Sequence, residues 1–446
     1  MYKKLTTAII SAVLILSLAA CGSKTDEEVK TNTQAAVNGA STVKVENVSS
    51  EEETTAATEG KTTAAATEAS SATEAITETA NVTSGGVMDA TDFFTDRDLA
   101  QTADTSEAQY ITLSDGQDVT ISSKGVYVVS GTASNATIIV DAGDDDKVQI
   151  VLDNATITND DSPCIYVKNA DKTFVTVSGS NSLSVTGSFT SDGDTKTDAV
   201  IFSKDDITIN GTGSLTIVSS DNGISGKDDL KITGGTINIT ASDAGIEAND
   251  SIRIAAGNIT VSAGNDALHA ENDDDNSTGF IYICGGTLDL KAGDDGIHAT
   301  TVVQIDGGTI NITAGECIEG TYIQINDGTF TMTASDDGVN AAKKSSSYTP
   351  TIEVNGGYIT LTMGQGDTDG FDSNGNLYIN GGTLDITAQS PFDYDGEASY
   401  TGGTIIVNGE ETNQITNQFM GGGPGGGMGG GPGGGMGGGP GGRGNR

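Results

Sequence analysis

One phrase recurs along this chain often enough to decide its architecture. It reads G-G-T-Φ-x-Φ-x-A, with Φ apolar, then an Asp- and Asn-rich corner, then Φ-x-A, a short gap and Φ-x-Φ. The first apolar residues of its copies are Leu215, Ile237, Ile259, Leu288, Ile310, Phe330, Ile359 and Leu384, spaced 22, 22, 29, 22, 20, 29 and 25 residues apart. Two of the longer steps carry insertions, ENDDDNSTG at 271–279 and AKKSSSYTP at 342–350. A near-constant period with loop insertions marks a solenoid, whose repeats bury their apolar faces only by stacking on one another.

The alternation says which solenoid. In GGTINITAG, Ile310, Ile312 and Ala314 fall on one face and Thr309, Asn311 and Thr313 on the other. Three such short β-branched runs per repeat, with no helical period, predict an all-β chain: a right-handed parallel β-helix with rungs of about 22 residues. Leucine-rich repeats share the length but need leucine and asparagine offsets absent here. Residues 110–210 alternate less regularly, as in VTISSKGVYVVSG and VQIVLDNATI, and read as N-terminal rungs and cap.

The flanks differ in composition. Residues 1–20 read as a signal peptide, with Lys3 and Lys4 before an apolar run, Leu5 to Leu18, too short for a spanning helix. Leu18-Ala19-Ala20-Cys21 resembles a bacterial lipobox, which implies cleavage before Cys21 and lipidation of Cys21. The protein is then exported and held by lipid on the outer face of the cytoplasmic membrane, at the cell surface. Residues 21–85, rich in Thr, Ala, Ser and Glu, lack the apolar bulk for a core and read as a disordered stalk. Residues 420–446 are Gly-rich without the collagen period and read as a flexible tail. That leaves 86–419 as the folded domain, expected to act as a monomer. Its cysteines, Cys164, Cys284 and Cys317, are odd in number and lack C-x-x-C spacing, so they read as small buried hydrophobes.

With 21 Lys and Arg against 62 Asp and Glu, the formal net charge is −41. This argues against nucleic acid and against a basic membrane-binding face, and favours cations or neutral polymers as partners. The acids are also patterned. Two or three positions before the apolar residue that follows each corner stand Asp221, Asp243, Asp266, Asp294 with Asp295, Glu316, Asp336 with Asp337, and Asp369. One position after it stand Ser225, Glu247, His269, His298, Glu319, Asn340 and Asp372. Stacked at a strand spacing of about 4.8 Å, neighbouring carboxylates repel by roughly 1 kcal/mol per pair even in water.

Few internal cations face them: from 215 to 390 the basic residues are Lys227, Lys231, Arg253, Lys291, Lys343 and Lys344. Calcium, a hard cation taking six to eight oxygens, is the expected external counter-charge. Its candidate ligands are Asp243, Glu247, Asp266, Asp294, Asp295, Glu316, Glu319, Asp336, Asp337, Asp369 and Asp372. His269 and His298 suit calcium poorly and read as carboxylate or ligand contacts. The competing account is that Asp-Gly and Asn-Gly simply suit tight turns. Asp144 to Asp146 and Asp273 to Asp275 read as solvated loop tips.

Several phrases then carry a resemblance. FFTDRDLAQTAD (93–104), AGDDDKVQIVLDNATI (142–157), SPCIYVKNADKTFVTVSG (162–179) and TDAVIFSKDDITINGTGSLTI (197–217), continued by DNGISGKDDLKITGG, resemble a family of bacterial cell-surface carbohydrate-binding proteins. The likeness covers roughly residues 90–400. It implies a right-handed parallel β-helix similar to polysaccharide lyases, with bound calcium, associated with cellulosic and pectic polymers.

Three functions follow as expectations. The first is a module binding plant cell-wall polysaccharide, cellulose or pectin, with Tyr282, Tyr322, Tyr358 and Tyr378 as candidate stacking platforms. The second is a calcium-dependent lyase acting on uronate polymers, which needs a base; Lys231, Arg253 and Lys291 lie near the rungs, though none is singled out as catalytic. The third is a structural adhesin or spacer.

Overall fold

The computed structural model describes residues 86–272, 275, 277–366 and 368–417. The signal peptide, Cys21, the stalk, the Gly-rich tail, Asp273 and Asp274 lie outside them. The described chain is a parallel β-helix. Each repeat contributes one strand to each of three sheets, here called A, B and C, in that order along the chain. In one rung these are Thr236–Ala241 in sheet A, Ile246–Ala248 in sheet B and Ser251–Ile254 in sheet C. Each pairs in parallel with its counterpart in the next rung, Asn258–Ala263, Leu268–Ala270 and Phe280–Ile283.

The register follows the repeat. Leu215, Ile237, Ile259, Leu288, Ile310, Phe330, Ile359 and Leu384 are successive partners along sheet A, and Ile405 extends the series by one rung. Strand Thr236–Ala241 alternates exposed and buried residues along its length, so Ile237, Ile239 and Ala241 fill the interior. Apolar side chains stacked rung on rung make one continuous core, running from Leu113 to Ile405. Cys164 and Cys317 lie in it, Cys284 lies in a smaller cluster, and all three are free thiols. At the C-terminal end Thr404–Val407 folds back on Glu410–Thr412 as an antiparallel pair, which closes the last rung of sheet A.

Two glycine positions explain much of the repeat. The glycine at the second position of G-G-T, kept where that phrase varies, turns the chain from sheet C into sheet A with φ between 80° and 123° at Gly235, Gly257, Gly286, Gly308, Gly328, Gly357 and Gly382, a conformation other residues avoid. The glycine after the corner acids has a different reason. A Cβ on Gly245 would lie 2.2 Å from Val261 Cγ1, and one on Gly296 2.3 Å from Ile312 Cγ2. Among the described residues, only Asn135, Asn154 and Asn408 are non-glycines with positive φ. The corner acids are therefore not there to supply a left-handed backbone.

Before the first strand, residues 86–104 run along the outside of sheet C as a strap. Val87 N–H donates to Gln324 Oε1 at 2.7 Å and Met88 N–H to Gln304 Oε1 at 2.9 Å. Phe93 packs on Phe280 and edge-on to Tyr282. A single helical turn, Asp96–Leu99, begins with a capping box between Thr95 and Asp98. Gln101 then donates to the Thr233 carbonyl at 2.8 Å.

Candidate functional site

The outward column of sheet C lies beneath this strap. Gln149, Phe174, Thr208, Lys231, Arg253, Tyr282, Gln304 and Gln324 are successive register partners. Asp98 reaches down from the strap, fully buried, to Lys172 Nζ at 2.7 Å, Thr208 Oγ1 at 2.7 Å and Lys231 Nζ at 3.8 Å. Burial opposes its charge, but the Lys172 contact and the Thr95 and Thr208 hydrogen bonds outweigh that and hold its pKa well below the usual range.

Two expectations are corrected here. Lys231 and Arg253 do point outward from the barrel, but the strap covers them. Burial, with Lys172 and Arg253 nearby, brings the Lys231 pKa down to about 8, a value useful to a base, yet the residue is only 6% exposed. Arg253 is held 2.7 Å from Asp229 and lies over the Phe93 and Phe280 rings. Tyr282, read as a sugar platform, is completely buried and donates to Asp306 at 2.9 Å. Tyr322 is half-buried with its hydroxyl on Glu353, Tyr378 is half-buried, and Tyr358 alone of the four is exposed. Lys291 is exposed on sheet A.

Among the described residues no strap crosses sheet B, although Ser225, Glu319 and Asn340 of its outward column are themselves buried. Its outward column is Ser225, Glu247, His269, His298, Glu319, Asn340, Asp372 and Asp393, each the register partner of the next. Beside it run the corner acids, and the structure divides them. Asp243, Asp294 and Asp336, three positions before the apolar residue, are exposed to solvent. Asp266, Asp295, Glu316, Asp337 and Asp369, two positions before it, turn towards the column and are buried or half-buried. Neighbouring rungs are tied through them: Asp295 N–H donates to Asp266 Oδ1 and Asp369 N–H to Asp337 Oδ1, each at 2.9 Å.

The ladder has three sections. At its N-terminal end Glu247 accepts from Asn222 at 2.7 Å and Lys227 at 3.0 Å, and borders an open groove of about 370 Å³. Lys196, Asn249, Asn265 and His269 also line the groove, a wall of amines, amides and carboxylates. In the middle, His298 lies 3.2 Å from both Asp295 and Glu319, with His269 stacked beside it at a ring separation of 4.8 Å. Towards the C-terminus the residues offer oxygen alone: Glu316, Asp337, Asn340, Asp369 and Asp372.

Charge is not balanced within this ladder. Burial first, then Asp266, Glu319, Glu316 and Asp294, drives the Asp295 pKa far upward. Burial and the neighbouring Glu319, Asp337 and Asp336 raise Glu316 to about 7, even though Asn340 donates to it. Burial and Asp337, Asp393 and Asp369 raise Asp372 to about 7. The imidazoles relieve one acid: burial opposes ionisation of Asp266, but the His298 hydrogen bond, the Asp295 N–H and the charge of both rings bring its pKa down.

Do these residues fit calcium? The oxygen-only section has the right donor chemistry, and Asn340 Oδ1 is buried without a hydrogen-bond partner. Its carboxylates are spread along the rungs. Among the described residues, three or more His, Cys, Asp or Glu ligand atoms come within 4.8 Å of one another only at Asp266–His269–His298 and Asp295–His298–Glu319. The two histidines thus sit at the centre of the site. Their place in the stacked column was legible; the convergence of their nitrogens was not, because it depends on side-chain rotamers.

The described chain is thus a parallel solenoid with one face covered by a strap and another lined by carboxylates beside an open groove. Within that class the chain belongs to the carbohydrate-binding domain-containing protein family, whose family profile matches residues 115–370 and 317–418. A protein of that description from Acetivibrio thermocellus is 40% identical over 124 residues, 27% of this chain and 43% of that relative. The chain therefore spans less than half of the relative's length. A solved structure described as the polysaccharide lyase-like protein from C. thermocellum, gadolinium derivative, is 32% identical and covers 50% of this chain and 96% of that one, with a TM-score of 0.45.

Proposed function

We propose that this chain binds plant cell-wall polysaccharide along the open face of sheet B, with calcium as counter-ion, and that lipid on Cys21 holds it at the cell surface. The observation that carries this reading is a carboxylate ladder that borders an open groove at its N-terminal end and is uncompensated from Asp295 onward, on a chain of a carbohydrate-binding family. The groove offers amine, amide and carboxylate partners for sugar hydroxyls, with Lys196, Asn222, Lys227, Asn249 and Asn265 on its walls. Glu316, Asp337, Asn340, Asp369 and Asp372 would draw calcium along successive rungs rather than into one cage, which supplies positive charge to a face that otherwise repels an anionic polymer. Pectic chains are favoured over cellulose, because a flat neutral glucan needs aromatic platforms and Tyr358 is the one candidate left exposed. The lyase reading loses its two best-placed bases, Lys231 to Asp98 and Arg253 to Asp229.

Depletion of the full chain onto pectin gel and onto cellulose, with calcium and then with chelator, tests the proposal. The expected result is calcium-dependent depletion onto pectin without unsaturated uronate in the supernatant. Unsaturated product would establish a lyase instead. Absence of depletion from both polymers would leave a spacer.

A further inference from the structure

We propose that Asp266, His269 and His298 form a binding site for a divalent transition-metal ion of the zinc type, separate from the oxygen-only rungs. His269 and His298 are register partners in adjacent strands, so their rings stack with an interplanar angle of 18°. Stacking brings both Nδ1 atoms to 3.5 Å from the same oxygen, Asp266 Oδ2. Ligand atoms bound about 2.0–2.1 Å from a tetrahedral zinc stand roughly 3.3–3.4 Å apart, close to this spacing. Asp295 Oδ2, 3.2 Å from His298 Nδ1, offers a further oxygen.

The surroundings prepare these atoms for a metal. His269 Nε2 lies 3.2 Å from Glu271, and His298 Nε2 lies 3.2 Å from Glu319, itself held by Lys344 at 2.9 Å. His269 can thus donate its Nε2–H to Glu271 and turn its Nδ1 lone pair towards Asp266, the arrangement that orients metal-binding histidines, while Glu319 stands beside His298 Nε2 as a charge partner. Asp266 is oriented in turn, because its other oxygen accepts the Asp295 N–H at 2.9 Å. One ion held between the two Nδ1 atoms and Asp266 Oδ2 would use all three ligand atoms at once. Imidazole nitrogen selects zinc, nickel or copper over calcium and magnesium. His269 and Glu271 also line the groove, so the ion lies at its wall.

The test needs no polysaccharide and does not depend on the carbohydrate reading. The full chain is stripped with chelator and dialysed against zinc alone, then against zinc with excess calcium. Cobalt(II) is added to a second sample and its visible absorption recorded. The expected result is a single zinc retained per chain in the presence of calcium, and intense cobalt bands of low coordination number. Both are lost in His269→Gln and His298→Gln, while Glu319→Gln weakens zinc by about 10–100-fold through the ring it orients. Circular dichroism reports whether each variant is folded; if a histidine variant is not, Glu319→Gln and the wild-type cobalt spectrum decide. No retained zinc, zinc displaced by calcium, or unchanged retention in folded histidine variants overturns the proposal.

Discussion

Asp98 and Asp295 are both buried carboxylates on the outside of the same solenoid, and their surroundings push them in opposite directions. Asp98 lies between Lys172 and Lys231 under the strap and is held ionised. Asp295 lies among Asp266, Glu316 and Glu319 on sheet B, and burial with these neighbours resists its ionisation. Both columns stack like charges and meet repulsion, Lys231 on Arg253 in sheet C and a longer run of acids in sheet B. Sheet C settles it internally, with an acidic strap laid over basic side chains. Sheet B leaves its surplus in place beside an open groove. A fold able to neutralise one column with its own chain, and not doing so for the other, points to an outside partner for the second.

The largest effect should come from breaking the balanced side. Asp98→Ala leaves two buried ammonium groups without their carboxylate, a loss of about 3–5 kcal/mol for a broken buried pair. Chemical denaturation should show that loss, and limited proteolysis should cut the strap between 86 and 104. An unchanged denaturation midpoint would mean that water, not Asp98, satisfies Lys172 and Lys231. The unbalanced side should respond with the opposite sign. In chelator, Asp372→Asn should stabilise the protein by roughly 1 kcal/mol, the order of one carboxylate repulsion. In calcium the same variant should be neutral or destabilising, since it removes a ligand of the proposed calcium site. A loss of stability in chelator would show that Asp372 is already compensated.

Acidity separates the two columns by sign. Glu316 and Asp372 are raised to about 7, so their stabilising contribution is complete below the ordinary carboxylate range and is lost as pH rises through about 7. Asp98 is depressed, so its contribution is present above an ordinary aspartate pKa of about 3.9 and is lost as pH falls through its own lower value. The chelated protein should therefore melt at a lower temperature at roughly pH 8 than at pH 5, and calcium should abolish that drop. A calcium-free melting temperature that is flat over this window would remove the charge surplus from the argument.

How much of this could be read in the chain follows from what sets each feature. The rungs were legible because register repeats with the sequence: Leu215 through Leu384 are partners one after another. The column from Ser225 to Asp372 was legible for the same reason. Which acids face it was less so, since one position decides whether Asp294 meets solvent or Asp295 meets His298. The strap could not be derived from the repeat, because FFTDRDLAQTAD lies outside it and pairs with residues more than a hundred positions away. One signal was present: Lys231 and Arg253 occupy the same outward position in adjacent rungs with no acid in register.

The smallest expected effect bears on the sugar rather than on the charges. Tyr358 begins a sheet A strand and is 48% exposed, while the core carries on beneath it through Ile359 and Leu361. Tyr358→Ala should change stability by no more than about 0.5 kcal/mol, as for surface positions away from specific contacts. Depletion onto pectin should be unchanged, because the groove and ladder lie on sheet B. Depletion onto cellulose, if the full chain shows any, is where the variant should matter, since stacking of a neutral ring needs an aromatic face. A large loss of pectin binding in Tyr358→Ala would move the binding face from sheet B to sheet A and leave the acidic ladder a structural role alone.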